Sequence, residues 1–186
     1  QYKGILEYRP QHKVTAVDAR AGVLKFEVQD DVKASVLNVV PPMRAGRIAT
    51  QTGLANVNGR WCGVDYLTFE SAVAKDVHVL GDAIQSASLM PKSGHMANSH
   101  AKAAAAAVVA QLAGWPVNPA PMLTNTCYSY VDNKNVVHVA SVHSYVAAEK
   151  TFKTVPGSGG LSPAPNELEG IYAWNWAQNI WADTLT

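Results

Sequence analysis

One stretch of this sequence constrains the fold more than any other. A short apolar run, Val77–Leu80, ends in Gly81-Asp82, and an alanine-rich segment follows over residues 95–113. The composition of the run predicts a fully buried strand, and the glycine allows a sharp turn where that strand ends. The alanine-rich segment predicts a helix. A strand, a turn and a helix in this order are typical of an open α/β sheet, whose ligands lie at the carboxyl ends of the strands.

The predicted helix has start and stop signals at both ends. Ser93 is of the residue type that caps a helix amino terminus, and alanine has the highest intrinsic helix propensity. Gly114 and Pro116 end the helix. Beyond it, three prolines stiffen residues 115–121 into a linker-like segment.

The rest of the sequence alternates between short apolar runs and polar breaks, which predicts a large share of β structure. At the amino terminus we expect a three-stranded antiparallel meander over 4–8, 14–18 and 23–28, with a turn at Ala21-Gly22 and a buried strand over 36–40. In the middle of the chain we expect a short helix within 44–54, ended by Gly53, and an extended segment at 64–69. Toward the C-terminus we expect a hairpin of strands 126–131 and 136–147 with its turn at 132–135, and a third strand at 150–155. The last 20 residues predict an aromatic helix.

Charge and composition exclude several classes of function. The net charge is +1, and lysines and arginines are scattered, so the sequence predicts no binding to nucleic acid or to lipid by charge. No run is long and apolar enough for a membrane span, and the first residues do not have the pattern of a signal peptide. The six histidines lack metal-ligand spacing, and no metal site is predicted.

Two neighbouring features suggest a cofactor site. Asp82, at the end of the predicted strand, can bind a sugar or ribityl hydroxyl, although a simple Gly-Asp turn is the common alternative. Lys92, Ser93 and Gly94 place a cation, a hydroxyl and unhindered backbone at a helix amino terminus, which favours partial negative charge in a ligand. Plain helix capping is the alternative there. Because the two features are separated by one short loop, a cofactor site is the better interpretation.

The two cysteines receive different interpretations. Cys127 lies at a predicted loop-to-strand junction, which allows a reactive or disulfide-bonded role, and a small buried hydrophobe is the alternative. Cys62 lies in a turn-rich segment, where a structural role is favoured. The two could pair with each other, stay reduced, or pair with cysteines outside this sequence.

Six short motifs occur together in a particular order and spacing. They are Trp61-Cys-Gly-Val-Asp65, Thr68-Phe-Glu-Ser71, Val77-His-Val-Leu-Gly-Asp82, Met90-Pro-Lys-Ser-Gly94, Ala97-Asn-Ser99 and Asn125-Thr-Cys-Tyr-Ser129. Jointly they resemble the flavoprotein subunit of flavocytochrome c sulfide dehydrogenase, a disulfide oxidoreductase-like flavoprotein family. The resemblance runs over nearly the whole chain, and the aromatic C-terminus is similar to that family's last helix.

The resemblance implies a mixed α+β and α/β fold that is part of a two-dinucleotide-domain flavoprotein. Residues 1–55 would end an NAD(P)-like domain, which includes the meander. Residues 56–115 would form the carboxyl-terminal part of an FAD-binding domain, with its last strand and helix. Residues 116–186 would form a small α+β domain that covers the flavin.

The resemblance also implies site residues and chemistry. The FAD contacts would come from Gly81 and Asp82 at the ribityl chain, from Met90, Pro91, Lys92, Ser93 and Gly94 at the isoalloxazine, and from Trp181 in the aromatic helix. Cys127 would be one half of a redox-active disulfide. Sulfide attacking that disulfide yields a persulfide and frees a thiolate, whose electrons pass to the flavin. The family oxidises sulfide to sulfur or polysulfide in the periplasm and passes electrons to a haem-containing cytochrome c subunit.

The sequence departs from the family in three features. The family's partner cysteine, its covalent flavin attachment and its G-x-G-x-x-G motif all belong to the amino-terminal half, and none occurs here. The expectation is therefore a carboxyl half that does not hold FAD tightly when expressed alone.

Two other functions compete with this interpretation. A sulfide:quinone reductase-like flavoprotein is one, but it would carry a lipid-facing amphipathic tail, and this tail has no basic face. A non-catalytic binding or interaction domain is the other, with the alanine and tryptophan helices packed as core. Convergence of Asp82, Lys92 and Cys127 in space favours the flavin site over the binding domain.

Overall fold

The structure, a computed structural model, describes residues 3–185. The chain divides into two compact units, one up to Pro42 and one from Met43 onward. Both sheets are antiparallel and the helices lie in the second unit, so the fold is α+β. Within the described residues, no helix is long and apolar enough to cross a membrane.

The first unit is built on a small antiparallel sheet. Its strands are β1 (Val14–Asp18), β2 (Val23–Phe26) and β3 (Val32–Lys33), in that order. The turn between β1 and β2 depends on Gly22, whose φ is +67°, and a Cβ there would lie 2.8 Å from the carbonyl oxygen of Ala34. The predicted hairpin with its turn at Ala21-Gly22 is confirmed.

Two strand predictions in this unit are wrong. Residues 4–8 form turns and irregular chain, so the third strand of the meander is β3 and follows the hairpin instead of preceding it. Residues 36–40 form no strand, and Val36 and Val40 are 84% and 79% exposed. Valine-rich composition predicted burial there, but a strand needs a paired neighbour, and β3 pairs only with β2.

The second unit begins with a short helix and an irregular segment. Helix α1 spans Arg47–Gln51, and the chain turns at Gly53 with φ +76°, as predicted. The predicted extended segment at 64–69 is wrong. It makes a single bridge from Val64 to Ser71, and the chain bends at Phe69, whose φ is +59°.

The buried strand predicted at Val77–Leu80 is also wrong. His78 forms an isolated bridge with Glu70, and Val77 is 39% exposed. Apolar composition predicted a strand buried on both faces, and such a strand requires ladders with neighbours on each side. In this structure the segment is irregular and leads into a 3₁₀ turn, Gly81–Ala83.

Helix α2 is the long alanine-rich helix, Gly94–Ala113, and it confirms the sequence prediction. The side chain of Ser93 caps it by accepting a hydrogen bond from the backbone N–H of Met96, and Gly114 ends it in the left-handed conformation. Residues 115–121 are irregular, as the prolines predict. The buried face of the helix consists of Met96, His100, Ala104, Ala107 and Ala110.

An antiparallel sheet follows, and it confirms the predicted hairpin and third strand. Its strands are β4 (Met122–Tyr130), β5 (Val136–Val146), β6 (Thr151–Thr154) and β7 (Gly160–Leu161). Strand β5 pairs with β4 along one edge and with β6 and β7 along the other. The Asp132 carboxylate accepts the N–H groups of two residues in the hairpin turn, which shapes the turn.

The core lies between α2 and this sheet. The cluster that fills it contains Phe69, Ile84, Ala87, Met90, Met96, Ala104, Leu123 and Phe152. Because Met90 and Ile84 flank the segment that leads into α2, this core fixes the loop from the 3₁₀ turn to the helix start.

Helix α3, Glu167–Leu185, is the predicted aromatic helix. Its first turn is anchored by Glu169, whose carboxylate accepts a 2.5 Å hydrogen bond from Ser162 and lies 2.9 Å from Nδ1 of His138. These hydrogen bonds lower the pKa of Glu169. Trp174 and Trp181 of this helix are each about half exposed, so they are not part of the core.

Candidate functional site

The Gly81-Asp82 turn lies directly against the first turns of α2. Gly81 is buried with φ +68°, and a Cβ there would lie 3.1 Å from the Cβ of Ala97. Glycine is therefore required both by the backbone conformation and by the close approach to the helix. The side chain of Asp82 is exposed beside this contact.

The Gly81-Asp82 turn is hydrogen-bonded to a buried histidine of α2. The backbone N–H of Gly81 donates to Nδ1 of His100 at 3.1 Å, and Nε2 of the same ring lies 3.4 Å from Sδ of Met90. His100 is 1% exposed, and its ring lies 4.8 Å from that of Phe69. Burial, with the charge of Lys92 next in effect, lowers the pKa of His100 to about 4. The imidazole is therefore neutral at neutral pH.

Lys92 binds the same turn through backbone carbonyl groups. Its ammonium donates to the carbonyl oxygens of Asp82 at 2.9 Å and Ile84 at 2.6 Å, and lies 3.9 Å from the centroid of the Trp61 ring. Burial lowers the pKa of Lys92, while the charge of Asp82 opposes that effect. A positive charge is thus held between the turn and the start of α2. The two residues before Lys92 differ in exposure: Met90 is buried in the core and Pro91 is half-buried.

The start of α2 is open. Gly94 is exposed, and nothing lies within 4 Å of the position that a Cβ would take there. The first N–H groups of a helix have no partner within it and carry the positive end of the helix dipole. This surface can therefore receive a ligand atom with partial negative charge.

Strand β4 brings Cys127 to the start of α2. The hydroxyl of Ser93 donates to Oδ1 of Asn125, and Nδ2 of Asn125 lies 3.5 Å from Sγ of Cys127. One residue along, the N–H of Thr126 donates to Nδ1 of His95 at 2.8 Å. Cys127 is half-buried inside β4, so its predicted place at a loop-to-strand junction is wrong, because β4 begins five residues earlier.

An aromatic residue of α3 borders the same region. The Trp176 ring lies 5.7 Å from that of His95 and 5.9 Å from that of Tyr128. Its indole Nε1 is buried and has no hydrogen-bond partner among residues 3–185. Trp181 instead packs against Trp174, at 5.8 Å, on another face of α3. The flavin contact assigned to Trp181 stays a prediction, and Trp176 is the tryptophan that the structure places beside the start of α2.

The structure thus brings together Gly81, Asp82, Lys92, Ser93, Gly94 and Cys127 through contacts on both sides of the α2 start. It adds four residues that the sequence did not single out: His95, His100, Asn125 and Trp176. Two of them, Asn125 in one of the six motifs and His95 at the start of α2, lie in segments that the sequence singled out, but sequence alone does not show which partner each contacts.

Cys62 lies behind the Gly81-Asp82 turn, where its backbone N–H donates to the carbonyl oxygen of Ala83, but its thiol has a different environment from that of Cys127. It is fully buried with Ala45 and Ala49 in a second small core cluster, and burial raises the pKa of its thiol. Both cysteines are free thiols in the structure. The structural role favoured for Cys62 agrees with its burial.

The C-terminal sheet and helix have a family match. Residues 119–185, which contain β4 to β7 and α3, match the family model of flavocytochrome c sulphide dehydrogenase, flavin-binding. Over these residues the chain is similar to that flavoprotein family. Its cofactor is a flavin, FAD, and the family is one of oxidoreductases.

The residues around the α2 start fit a flavin. An isoalloxazine presents carbonyl oxygens and ring nitrogens, which need donors, and the first N–H groups of α2 can supply them. The Lys92 ammonium, which donates to the carbonyl oxygens of Asp82 and Ile84, adds positive charge nearby. The buried Nε1 of Trp176 is a further donor whose partner is absent from the described chain. Gly94 leaves room for a ligand to approach closely, whereas the space at Gly81 is taken by Ala97 of α2. Asp82, Lys92 and the first turn of α2 are the groups that would hold FAD.

Acidification should destabilise the second unit between pH 6.5 and about pH 4. The pKa of His100 is 6.5 in the unfolded chain and about 4 in the folded chain. The free energy of unfolding is therefore highest above pH 6.5 and falls as the pH drops toward 4. The difference corresponds to about 3 kcal/mol for this residue. Burial lowers the pKa values of His95 and His143 as well, which adds to the same trend. Urea unfolding at pH 7 and at about pH 4.5 measures it, and equal free energies of unfolding at the two pH values would contradict it.

Proposed function

We propose that this chain is the carboxyl half of an FAD-dependent sulfide dehydrogenase that oxidises sulfide to sulfur or polysulfide. The observation that carries the proposal is the placement of Asp82, Lys92 and Cys127 around one open helix start, next to a region matched as flavin-binding. A non-catalytic domain has no need to bring a free thiol, a cation and an exposed carboxylate to the same helix end.

The proposed architecture is that of a partial two-dinucleotide-domain flavoprotein. Residues 1–55 end the NAD(P)-like domain, residues 56–115 supply the carboxyl part of the FAD domain, and residues 116–186 cover the flavin. The contacts between α2 and β4 support the last two assignments, because they place the helix start of one segment against a strand of the other.

In this proposal each group around the α2 start has a role toward FAD. The carboxylate of Asp82 accepts hydrogen bonds from the ribityl hydroxyls. The first N–H groups of α2, with the charge of Lys92 nearby, would stabilise negative charge on the electron-rich edge of a bound isoalloxazine. Bound FAD supplies a two-electron acceptor. The half-buried position of Cys127 in β4 lets the flavin-covering domain limit the access of water to the thiol.

Cys127 acts as one sulfur of a redox disulfide whose other sulfur comes from outside this sequence. Cys62 is unsuitable as that partner because its side chain is fully buried in a small core cluster with Ala45 and Ala49. Hydrosulfide attacks one sulfur of the disulfide to form a persulfide, and the S–S bond breaks to release the other sulfur as a thiolate. A bound FAD would accept two electrons as the disulfide re-forms and the outer sulfur of the persulfide leaves as sulfur or polysulfide.

The electron acceptor in this proposal is a haem-containing cytochrome c subunit, and the compartment is the periplasm. The family description, which names a flavocytochrome c, supports a cytochrome as partner.

Replacing Asp82 by alanine should weaken FAD binding by about 10- to 100-fold. This is the range expected when one or two hydrogen bonds from a charged acceptor to a ligand are removed. The change should leave folding intact, because the side chain is exposed and its backbone carbonyl still accepts from Lys92. Titration of the flavoprotein with FAD, followed by the quenching of flavin fluorescence, measures the affinity.

A matched control for this experiment is Asp31→Ala, which removes an exposed carboxylate in the first unit and should leave the affinity unchanged. If Asp82→Ala binds FAD as tightly as the unmodified protein, Asp82 does not contact the cofactor.

A further inference from the structure

We propose that His100 is a positioning residue, whose neutral Nδ1 accepts the N–H of Gly81 and thereby holds the Gly81-Asp82 turn in the conformation that presents Asp82. This inference rests on the proposed function in one respect, that Asp82 is the residue that binds FAD.

The geometry supports a specific role for the imidazole. Gly81 is buried, and its backbone N–H has its hydrogen bond with Nδ1 of His100 at 3.1 Å. A buried N–H without a partner is costly, so removal of the acceptor would favour another conformation of the turn. Gly81 has a positive φ, and glycine populates both signs of φ. Other conformations of the turn are therefore accessible to it. The hydrogen bond therefore selects one conformation from several.

The surroundings fix the tautomer and the charge of His100. Since Nδ1 accepts from Gly81, the ring proton lies on Nε2, which points to Sδ of Met90 at 3.4 Å. The charged and titratable groups that affect it are Lys92, on the loop before α2, and His143, on β5. Both disfavour a second proton on the ring, and burial does so most strongly. The acceptor is therefore present throughout the neutral pH range.

His100 also links two ends of the cofactor site. It lies on α2 seven residues after the N-cap Ser93, so its position is set by the same helix whose open start is the proposed flavin contact. The Asp82 side chain and the free N–H groups of α2 consequently have a fixed mutual placement. Lys92 also connects the turn to the start of α2, because its ammonium donates to the carbonyl oxygen of Asp82.

A pair of substitutions separates the hydrogen bond from packing. In His100→Asn, the amide oxygen takes the place of Nδ1 and can still accept from Gly81. In His100→Gln, the amide lies one bond further from the backbone, at the place of Nε2, and the acceptor at the δ position is lost. Both variants bury an amide of similar polarity in the same core, so each serves as the control for the other.

The direct measurement is amide hydrogen exchange of the full chain by NMR at neutral pH. We expect the Gly81 amide to exchange slowly in the unmodified protein and in His100→Asn, and about tenfold or more faster in His100→Gln, the factor of one ordinary hydrogen bond. The amide of Ala104, in the middle of α2, reports on general destabilisation and should respond equally in the two variants. Equal protection of Gly81 in both variants, or its loss in both, would overturn the inference.

FAD titration of the flavoprotein forms of the two variants gives the second readout. His100→Asn should bind FAD more tightly than His100→Gln, and equal affinities would overturn the role toward Asp82. If the unmodified flavoprotein binds no FAD while the exchange pattern of Gly81 is as expected, the proposed function fails, but the role of His100 in holding the turn is confirmed.

Discussion

Sulfide-dependent reduction of the flavin should fall to the background rate of the free reactants when Cys127 is replaced by serine in the FAD-loaded flavoprotein. Serine preserves the size and the position of the side chain in β4 but cannot form a disulfide with a second cysteine. It also leaves Asn125 with an oxygen to contact in place of Sγ. Anaerobic mixing with sulfide, followed at the visible absorption of the flavin, measures the effect.

The control for this experiment is Cys62→Ala, which removes the other thiol of the chain. Cys62 is buried in a small cluster with Ala45 and Ala49, so the substitution should lower stability slightly and leave the rate of flavin reduction unchanged. Chemical reduction by dithionite should proceed in both variants, which shows that the flavin itself is intact. Retention of sulfide-dependent reduction in Cys127→Ser would remove Cys127 from the mechanism.

The largest expected effect on stability comes from Phe152→Ala, at about 3–5 kcal/mol. Phe152 is fully buried on β6, and its ring packs edge-on against Tyr66 at 6.0 Å and Tyr145 at 5.7 Å. The substitution would leave a cavity under the sheet that carries Cys127, because the surrounding strands can relax only in part. It should therefore weaken the support of the site as well as the fold.

Urea unfolding followed by tryptophan fluorescence measures this effect selectively. All five tryptophans lie in the second unit, so their signal reports on the unit that contains Phe152. The control is Leu161→Ala on β7, where the side chain is 76% exposed and the expected change is within about 0.5 kcal/mol. Similar decreases in the free energy of unfolding in the two variants would mean that Phe152 does not make a major contribution to the stability of the core.

Local signals in the sequence predicted the helices and the hairpin well. Helix α2 has a serine cap, a run of alanines and a terminal glycine, all within or next to the segment itself. The turn at 132–135 is likewise determined by Asp132, which binds the backbone two and three residues ahead. Such elements depend on neighbours in sequence, which is why they could be read from it.

The strands predicted from apolar composition alone were less successful. Residues 36–40 and Val77–Leu80 are as apolar as a buried strand, but a strand forms only where another strand pairs with it. Composition does not show which partner is present. Segments of this kind were therefore assigned a regular structure that the described chain does not give them.

The residues of the candidate site also fall into two groups, those predictable from local sequence and those whose contacts depend on the fold. Asp82, Lys92 and Gly94 were predicted because a strand end and a helix start have recognisable local chemistry. The contacts of His100, Asn125 and Trp176 connect residues that are 19 or more positions apart, or lie on different elements. Sequence identifies such residues only as polar or aromatic groups, and the fold determines what they hold.

The most direct test of the account is to map where FAD contacts this chain. Titration of the ¹⁵N-labelled protein with FAD should shift the amide signals of Gly81, Gly94 and Cys127 with one common dissociation constant, even if binding is weak. The amides of Lys75 and Gln111, near the far end of α2, should stay unchanged. Shifts confined to residues away from the α2 start, or none at saturating FAD, would contradict the assignment of this site to the flavin.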